Sequence, residues 1–331
     1  MEFKSLKFLG MATAIFLGGS QLEANASLIA FQSFNGNVGY SSDGFGDTSS
    51  SGVISASAPA GSTVLGAYLY SVNTYGTSTT PSVTLNATPV VFSPNIGSST
   101  WYNFRSDVTG IVKPIIDAGA GGVYNFNLTE SSTFSIDGEA LVVVYSNPGL
   151  PEATVGILDG FSAFAGDSTA INFANPLNPL APGFFAEMSL GIGFSCCNQK
   201  STVMVNGTTI TENAGNMDDG LVVSNGSLIT VGGFDDPFSP LNPSYADDHE
   251  RYNLVPYINA GDMSINIFTE NPSFDDNIFL ATFFVSGTAG FNEPPPTTGP
   301  VVPEPSSMLL LGAGIMGGVA FRKRLAGLFK K

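Results

Sequence analysis

The chain has 331 residues, 27 acidic and 11 basic, with a net charge of −16; hydrophobic residues make up 43% and charged residues only 11%. That hydrophobic content supports a packed core and excludes charge-driven disorder. Between Ser27 and Val302 there are four basic residues (Arg105, Lys113, Lys200, Arg251) against 24 acidic ones, a net −20. A body so charged repels nucleic acid and anionic lipid, both of which demand clustered Lys and Arg.

At the N-terminus, Lys4 and Lys7 precede an apolar run from Phe8 to Leu17, and Ala24-Asn25-Ala26 supplies the small residues that a signal peptidase requires. Residues 1–26 read as a helical signal peptide, with cleavage predicted before Ser27. No Cys follows the apolar run, so a lipid anchor is not expected there. Cys196 and Cys197 are the only cysteines. As neighbours they cannot staple distant loops in an oxidising compartment, which leaves a strained vicinal bridge, an intermolecular bridge or two buried thiols.

From Ser27 onward the pattern is strand and turn. Tyr124, Phe126 and Leu128 alternate with Asn125, Asn127 and Thr129, the period of a strand with one wet face. Thr63 to Val72 and Ala140 to Tyr145 are near-continuous runs rich in β-branched and aromatic residues, as in strands covered on both faces. Met263 to Phe268 and Ile278 to Val285 add two more strands. Asn206-Gly207 and Asn225-Gly226 each sit between apolar runs and predict tight hairpins, because both central residues of a type I′ turn need positive φ. Helix signals are weak: Asp107 to Asp117 predicts one short turn capped by Asp107 and broken early by Gly110 and Pro114. The fold class expected is all-β, as one large sandwich or two consecutive β-sandwich or jelly-roll units. Asn147 to Pro151 (N-P-G-L-P) punctuates the chain, dividing it into 27–150 and 151–290.

Acidic residues dominate the candidate sites. Asp218-Asp219, Asp235-Asp236, Asp247-Asp248 and Asp275-Asp276 are adjacent pairs, and Asp43 and Asp47 flank glycine-rich backbone. Carboxylates with loop carbonyls suit a structural Ca²⁺ ion, which takes six to eight oxygen ligands. Neither EF-hand spacing nor a nonapeptide repeat is present, and Asp equally caps turns and solubilises loops. Both readings stand open, and no other cofactor is expected. His249 is the only histidine, which excludes a two-His metal site. No G-x-S-x-G elbow marks a nucleophile that could pair with it. Two carboxylates suffice for a glycoside hydrolase, but no pair stands out among 24. Tyr68, Tyr70, Trp101 and Tyr102 could stack on sugar rings or fill a core.

Phe291 to Pro303 (F-N-E-P-P-P-T-T-G-P-V-V-P) favours extended polyproline II at ~3.1 Å per residue, a stalk of ~40 Å that occupies 291–302 as a unit. Residues 303–331 follow: V-P-E-P-S-S around Pro303, Glu304 and Pro305, an apolar run from Met308 to Phe321, then Arg322, Lys323 and Arg324. The run predicts a transmembrane helix of ~21 Å against a hydrocarbon core of ~30 Å, too short for a lasting span. Basic residues at both chain ends place both termini inside and the body between them outside.

The tail resembles the sorting signal of PEP-CTERM proteins, which are exported by Gram-negative bacteria and processed by exosortase. The resemblance implies processing at Pro303-Glu304-Pro305, a transient inner-membrane stage, and release to the cell surface or extracellular matrix. There it implies a non-enzymatic part in adhesion, biofilm or exopolysaccharide matrix, with a carbohydrate-binding module or polysaccharide hydrolase as the alternative. A second resemblance rests on A-Y-L-Y (67–70), R-S-D-V-T (105–109), I-D-G-E-A-L-V-V-V-Y-S-N-P (136–148) and I-L-D-G-F (157–161). These phrases resemble a domain of bacterial surface and adhesin-like proteins, which implies an extracellular β-sandwich and supplies no site residues. Intact-mass measurement of the secreted protein is expected to show a chain beginning at Ser27 and lacking Met308 to Lys331; retention of that segment rejects the processing reading.

Overall fold

The computed structural model of the chain describes residues 27–46, 49–73, 78–97, 102–131, 136–193, 200–215, 219, 228–273 and 277–296. The signal peptide with Ala24 and Ala26, the segment 303–331 with its apolar run, Trp101, Cys196, Cys197 and the Asn225-Gly226 turn lie outside these residues. Among the described residues no helix is long and apolar enough to cross a membrane.

The architecture is all-β, as the strand patterns require. The chain opens with β1 (Leu28–Gly36), followed by β2 (Val38–Phe45), β3 (Ser51–Ala58), β4 (Thr63–Asn73), β5 (Val83–Leu85), β6 (Thr88–Pro89), β7 (Asn103–Asp107), helix α1 (Thr109–Asp117), β8 (Gly122–Glu130) and β9 (Ile136–Ser146). Next come β10 (Ala153–Gly160), β11 (Asp167–Phe173), β12 (Ala186–Gly193), β13 (Ser201–Val205), β14 (Thr208–Ala214), β15 (Thr230–Val231) and β16 (Arg251–Asn253). A 3-10 turn at Val255–Tyr257, β17 (Ser264–Glu270), β18 (Asn277–Ser286) and β19 (Ala289–Phe291) complete it.

Four antiparallel sheets stack in the order first outer, first inner, second inner, second outer. The first sandwich pairs an inner sheet β2-β9-β4-β7 with an outer sheet β3-β8-β5-β6. The second pairs an inner sheet β1-β10-β18-β12-β15, with β16 also on β12, with an outer sheet β14-β13-β17-β11-β19. The two topologies superpose term by term: β2 through β9 occupy the places that β10, β11, β12, β13, β14, β16, β17 and β18 occupy in the second sandwich. Each copy also carries a helical turn after the sixth of these strands, α1 after β7 in one and the 3-10 turn after β16 in the other. The protein is thus a structural duplication, one strand order laid down twice along the chain.

The inner sheets pack face to face, and this explains the near-continuous apolar runs. In β9, Leu141, Val143 and Tyr145 enter the core of the first sandwich while Ala140, Val142 and Val144 enter the seam between sandwiches. In β4, Ala67 and Leu69 face the first core, and Tyr68, Tyr70 and Val72 face the seam. On the other side β10 sends Val155 and Ile157 into the seam and Leu158 into the second core. A strand buried on both faces admits a polar residue only where the protein supplies a partner or the group stays uncharged, hence the loss of alternation. By contrast β8, in an outer sheet, buries Phe126 and Leu128 and exposes Asn125 and Asn127.

Three elements depart from expectation. The strand β1 precedes the first sandwich in sequence yet pairs with β10, Leu28 opposite Gly160 through Gly36 opposite Ala153, so 27–36 belongs to the second inner sheet. Phe291, expected in the stalk, is a buried strand residue whose ring stacks on Phe283 at 5.7 Å. The chain leaves the sheet only after Asn292, whose backbone N–H donates to Ala170 and whose Oδ1 accepts from the Ala170 N–H. Finally, α1 survives Pro114. Val112 and Ile116 are buried in the first core, and Lys113 and Asp117 both bond to the Val64 backbone, so tertiary contacts outweigh the missing N–H.

Edge strands are covered differently in the two copies. The outer edge of β11 carries β19. In the first copy no strand among the described residues covers the equivalent edge of β3. Instead β2 crosses it, and side chains supply the acceptors: Ser57 N–H donates to Ser41 Oγ at 2.9 Å and Ser55 N–H to Asp43 Oδ2. Unpaired edge amides template aggregation, and these are blocked from within.

Asn206-Gly207 forms the expected two-residue turn, with φ of 49° and 79°. Its Oδ1 accepts from Asn266 N–H at 2.9 Å, while Asn206 N–H donates to Asn266 O at 2.8 Å. The equivalent turn of the first copy is Asn86-Ala87, with φ of 49° and 59°, where Asn86 Oδ1 accepts from Asn127 N–H at 2.8 Å. Asn206→Ala and Asn86→Ala are each expected to lose about 1–2 kcal/mol in urea unfolding of the purified protein. Costs differing several-fold would show that the two turns are not equivalent.

Candidate functional site

The sequence-derived acidic residues divide into three groups. Asp47, Asp218, Asp275 and Asp276 lie outside the described residues. Asp247 and Asp248, although adjacent, serve different ends. Asp247 accepts from Ser244 Oγ at 2.8 Å in an exposed turn. Asp248 is fully buried and accepts from Tyr252 OH at 2.7 Å, Ser239 Oγ at 3.0 Å and Thr211 Oγ1. Next to it Glu250, also buried, accepts from Gly215 N–H and Thr230 Oγ1, both at 2.8 Å. The phrase D-D-H-E-R is therefore a knot that ties β14, β15 and β16 together. Its His249 contributes a backbone N–H to Ser239 Oγ. Burial and the neighbouring Asp248 push Glu250 well above the usual carboxylate range.

Asp43, Asp219, Asp235 and Asp236 are the pairs that the fold brings together. Asp43, on β2, receives the N–H groups of Gly44 and Ser55. Asp219 receives the Val231 N–H, and its carbonyl accepts from Gly46 N–H at 2.6 Å. Asp236 receives the Gly233 N–H at 2.7 Å. The glycines are needed here for space: a Cβ at Gly44 would lie 2.3 Å from Asp219 Oδ2, and one at Gly233 would lie 2.8 Å from Asp235 Oδ1. Desolvation raises Asp43 to about 7 even though two backbone amides favour its charged form. Burial, then the charges of Asp236 and Asp43, raise Asp219 well above its ordinary value, and burial raises Asp236. Among the described residues no three His, Cys, Asp or Glu side chains are arranged to hold a metal ion.

Several polar groups that sequence reasoning passed over lie in the seam or beside it. Asp159 of β10 accepts from Tyr70 OH at 3.0 Å and is paired with Arg105 of β7. The Arg105 guanidinium stands 3.4 Å over the ring of Phe31 in β1, and that ring meets Tyr68 edge-on at 4.9 Å. One network of charge and ring contacts thus joins four strands, β4 and β7 of the first inner sheet and β1 and β10 of the second. Burial raises Asp159, and Arg105 and Tyr70 only partly offset it. The polar letters of the phrases 67–70, 105–109 and 157–161 meet at this point, so their spacing had a signal in it. The phrase 136–148 contributes Glu139, fully buried, which accepts from Ser71 Oγ at 2.9 Å through Oε1 while Oε2 has no donor among the described residues. Burial and the Glu130 charge push Glu139 well up, so it keeps its proton where free Glu is ionised. A fully buried carboxyl cannot touch a substrate; these groups hold sheets.

Tyr68 and Tyr70 are core residues, which excludes them as sugar platforms. A surface cleft of ≈ 320 Å³ does exist elsewhere, between β14 and β16, lined by Phe238, Pro240, Leu241, Tyr252, Pro256 and Tyr257 among others. Phe238 is 43% exposed at its mouth, with the Arg251 guanidinium 4.6 Å from its ring.

Residues 301–324 match the PEP-CTERM protein-sorting motif. No curated protein matches the chain. Two solved structures are similar in part: a variant of BuGH86 in complex with neoagarooctaose, at 8% identity and a TM-score of 0.20, and the wild-type BuGH86 complex with the same ligand, at 8% and 0.18. They cover 81% and 82% of this chain, which spans only 34% of either of them.

Because folded Asp43 keeps its proton from the unfolded value near 3.8 up to about 7, stability falls as pH rises through that window and is flat above it, a cost of roughly 4 kcal/mol. Asp159, Asp219, Asp236, Glu139 and Glu250 are raised too and add in the same direction. Thermal melts are expected to show a higher midpoint at pH 5 than at pH 8, with Asp43→Asn flattening the dependence. A midpoint that rises with pH rejects this account. In the same melts, a calcium ion held by Asp43, Asp219, Asp235 and Asp236 would raise the midpoint at pH 8, where the cluster is most ionised, and chelator would reverse it. No shift removes the calcium reading.

Proposed function

We propose that this PEP-CTERM sorting-signal protein is a non-enzymatic component of the cell surface or extracellular matrix, contributing to adhesion or to an exopolysaccharide matrix. The sorting motif implies export, processing by an exosortase-type enzyme and a surface or extracellular destination. The finer reading rests on how the body uses its polar groups. Apart from exposed Asp235, the carboxylates that come together among the described residues are tied to backbone amides, hydroxyls or Arg105, or are fully buried. Groups so committed build a stiff scaffold and are not free for acid–base work on a substrate. In this reading the signal peptidase and exosortase-type enzyme are partners during export, the inner membrane is a transient station, and exopolysaccharide is the surrounding medium.

The cleft at Phe238 and Tyr257 favours a second reading, a carbohydrate-binding module. Aromatic rings at a cleft mouth offer apolar faces to sugar rings, and neighbouring Asn253 and Ser239 offer polar groups. A glycan array with the secreted protein, followed by a hydrolysis assay on any hit, separates the readings. The scaffold reading expects neither binding nor turnover. Binding lost at least tenfold on Phe238→Ala or Tyr257→Ala would establish the module, and release of shorter sugars would establish an enzyme.

A further inference from the structure

We propose that removal of the signal peptide completes the fold, because the new α-ammonium of Ser27 becomes the ion-pair partner of Asp167 and locks β1 into the second inner sheet. The inference rests on the expected cleavage before Ser27.

Asp167 already holds the start of β1. Ser27 Oγ donates to Asp167 Oδ1 at 3.0 Å, and Leu28 N–H donates to Asp167 Oδ2 at 2.7 Å. Both carboxylate oxygens therefore face the first two residues of the mature chain. The α-nitrogen of Ser27 is three bonds from its own Oγ, which puts it within about 7 Å of the carboxylate. Before cleavage that nitrogen is a neutral amide. Hydrolysis of the Ala26–Ser27 peptide bond by one water leaves a carboxylate on Ala26 and an amine on Ser27, protonated at neutral pH.

Charge scarcity makes this cation count. The body between Ser27 and Val302 has only four basic side chains, and each is engaged. Arg105 pairs with Asp159, Lys113 with Asp117 and Arg251 with Glu187, while Lys200 bonds to Asn213 Oδ1 at 2.7 Å. Asp167 has no basic side chain paired with it among the described residues. Cleavage supplies a fifth cation, and the fold brings it near this acid. The charged groups on the elements packed around it are Asp167 on β11, Asp159 on β10 with its partner Arg105 on β7, and Glu270 on β17 beside Thr269, the residue opposite Asp167. Asp159 is committed to Arg105 and Tyr70, and Glu270 neighbours Thr269 on the opposite face of β17, so Asp167, whose two oxygens face residues 27 and 28, is the acid that favours a protonated amine there.

The consequence extends beyond two residues. The strand β1 is the only described strand that precedes the first sandwich in sequence but lies in a sheet of the second. Its Phe31 carries Arg105 and packs on Tyr68, and Phe34 packs against the same seam. Pinning the start of β1 pins the strand that laces the two copies together, so export and final consolidation are coupled.

The test compares the mature chain starting at Ser27 with one that keeps Ala26 as its first residue, each with and without Asp167→Asn. An amine whose folded pKa lies above its unfolded value stabilises fully below the unfolded value, about 7.7–8.0, and the gain is lost as pH rises through the folded pKa. The Ser27 chain is expected to melt about 1–3 °C above the Ala26 chain at pH 7. The gap should close by about pH 10 and vanish with Asp167→Asn. The pH profile of α-amine labelling by an acylating reagent should shift upward in the Ser27 chain and return to normal in Asp167→Asn, a readout that loss of packing alone does not give. A gap that is constant with pH, or that survives Asp167→Asn, overturns the lock while leaving the cleavage site standing. N-terminal sequencing of the secreted protein that finds a first residue other than Ser27 overturns both.

Discussion

The structure depends on one constraint, the face-to-face packing of two inner sheets that takes both faces of β4, β9, β10 and β18 out of water. Every polar group on those strands then has to find a partner within the protein or give up its charge. Tyr70, Arg105 and Asp159 solve this by forming one network across the seam. Glu139 solves it by keeping a proton beside Glu130. The same exclusion of water that raises these carboxyl groups drives the burial of Val142, Val144, Val155 and Ile157 between the sheets.

Duplication accounts for the rest of the plan. Two copies of one strand order produce two equivalent inner sheets, and two such sheets present matching apolar faces. The copies differ where their edges are finished. The second copy borrows β1 and β19 from outside the repeated order, whereas the first closes its β3 edge with Ser41 and Asp43 of β2. Asp43 is thus at once an edge block and a member of the acidic cluster. Gly44, beside it, leaves room for Asp219, and the cluster reads as the joint where the segment 228–236 closes over β2. Acids that looked like ligands are mostly clamps.

An exported protein with so few cations has to spend each one carefully. Arg105 and Arg251 neutralise acids where sheets meet, Lys113 closes α1 against β4, and each also covers an apolar or aromatic surface or a backbone carbonyl. The remaining acids have no basic side chain to balance them, which leaves the body at a net −20. In a body of this kind a terminal amine carries weight that it would lack in an ordinary protein.

By itself the sequence determined the address and the class of fold. Motif, apolar run and basic cluster in the tail are local chemistry, and they agree with the motif found at 301–324. The strands β4, β8, β9, β17 and β18, and the Asn206-Gly207 turn, follow from periodicity and from positive φ, both local properties of the chain. Only tertiary structure decided the rest. Whether an acidic pair gathers or scatters depends on which strands lie side by side, so Asp219 and Asp236 meet Asp43 while Asp248 turns inward to Tyr252. The placement of β1 across the seam, the persistence of α1 through Pro114, and the burial of Tyr68 and Tyr70 all arise from contacts between residues far apart in sequence. Such contacts have no period to read. The order of the strands is decided in the same way: an apolar alternation records which face is buried, and not which neighbour buries it.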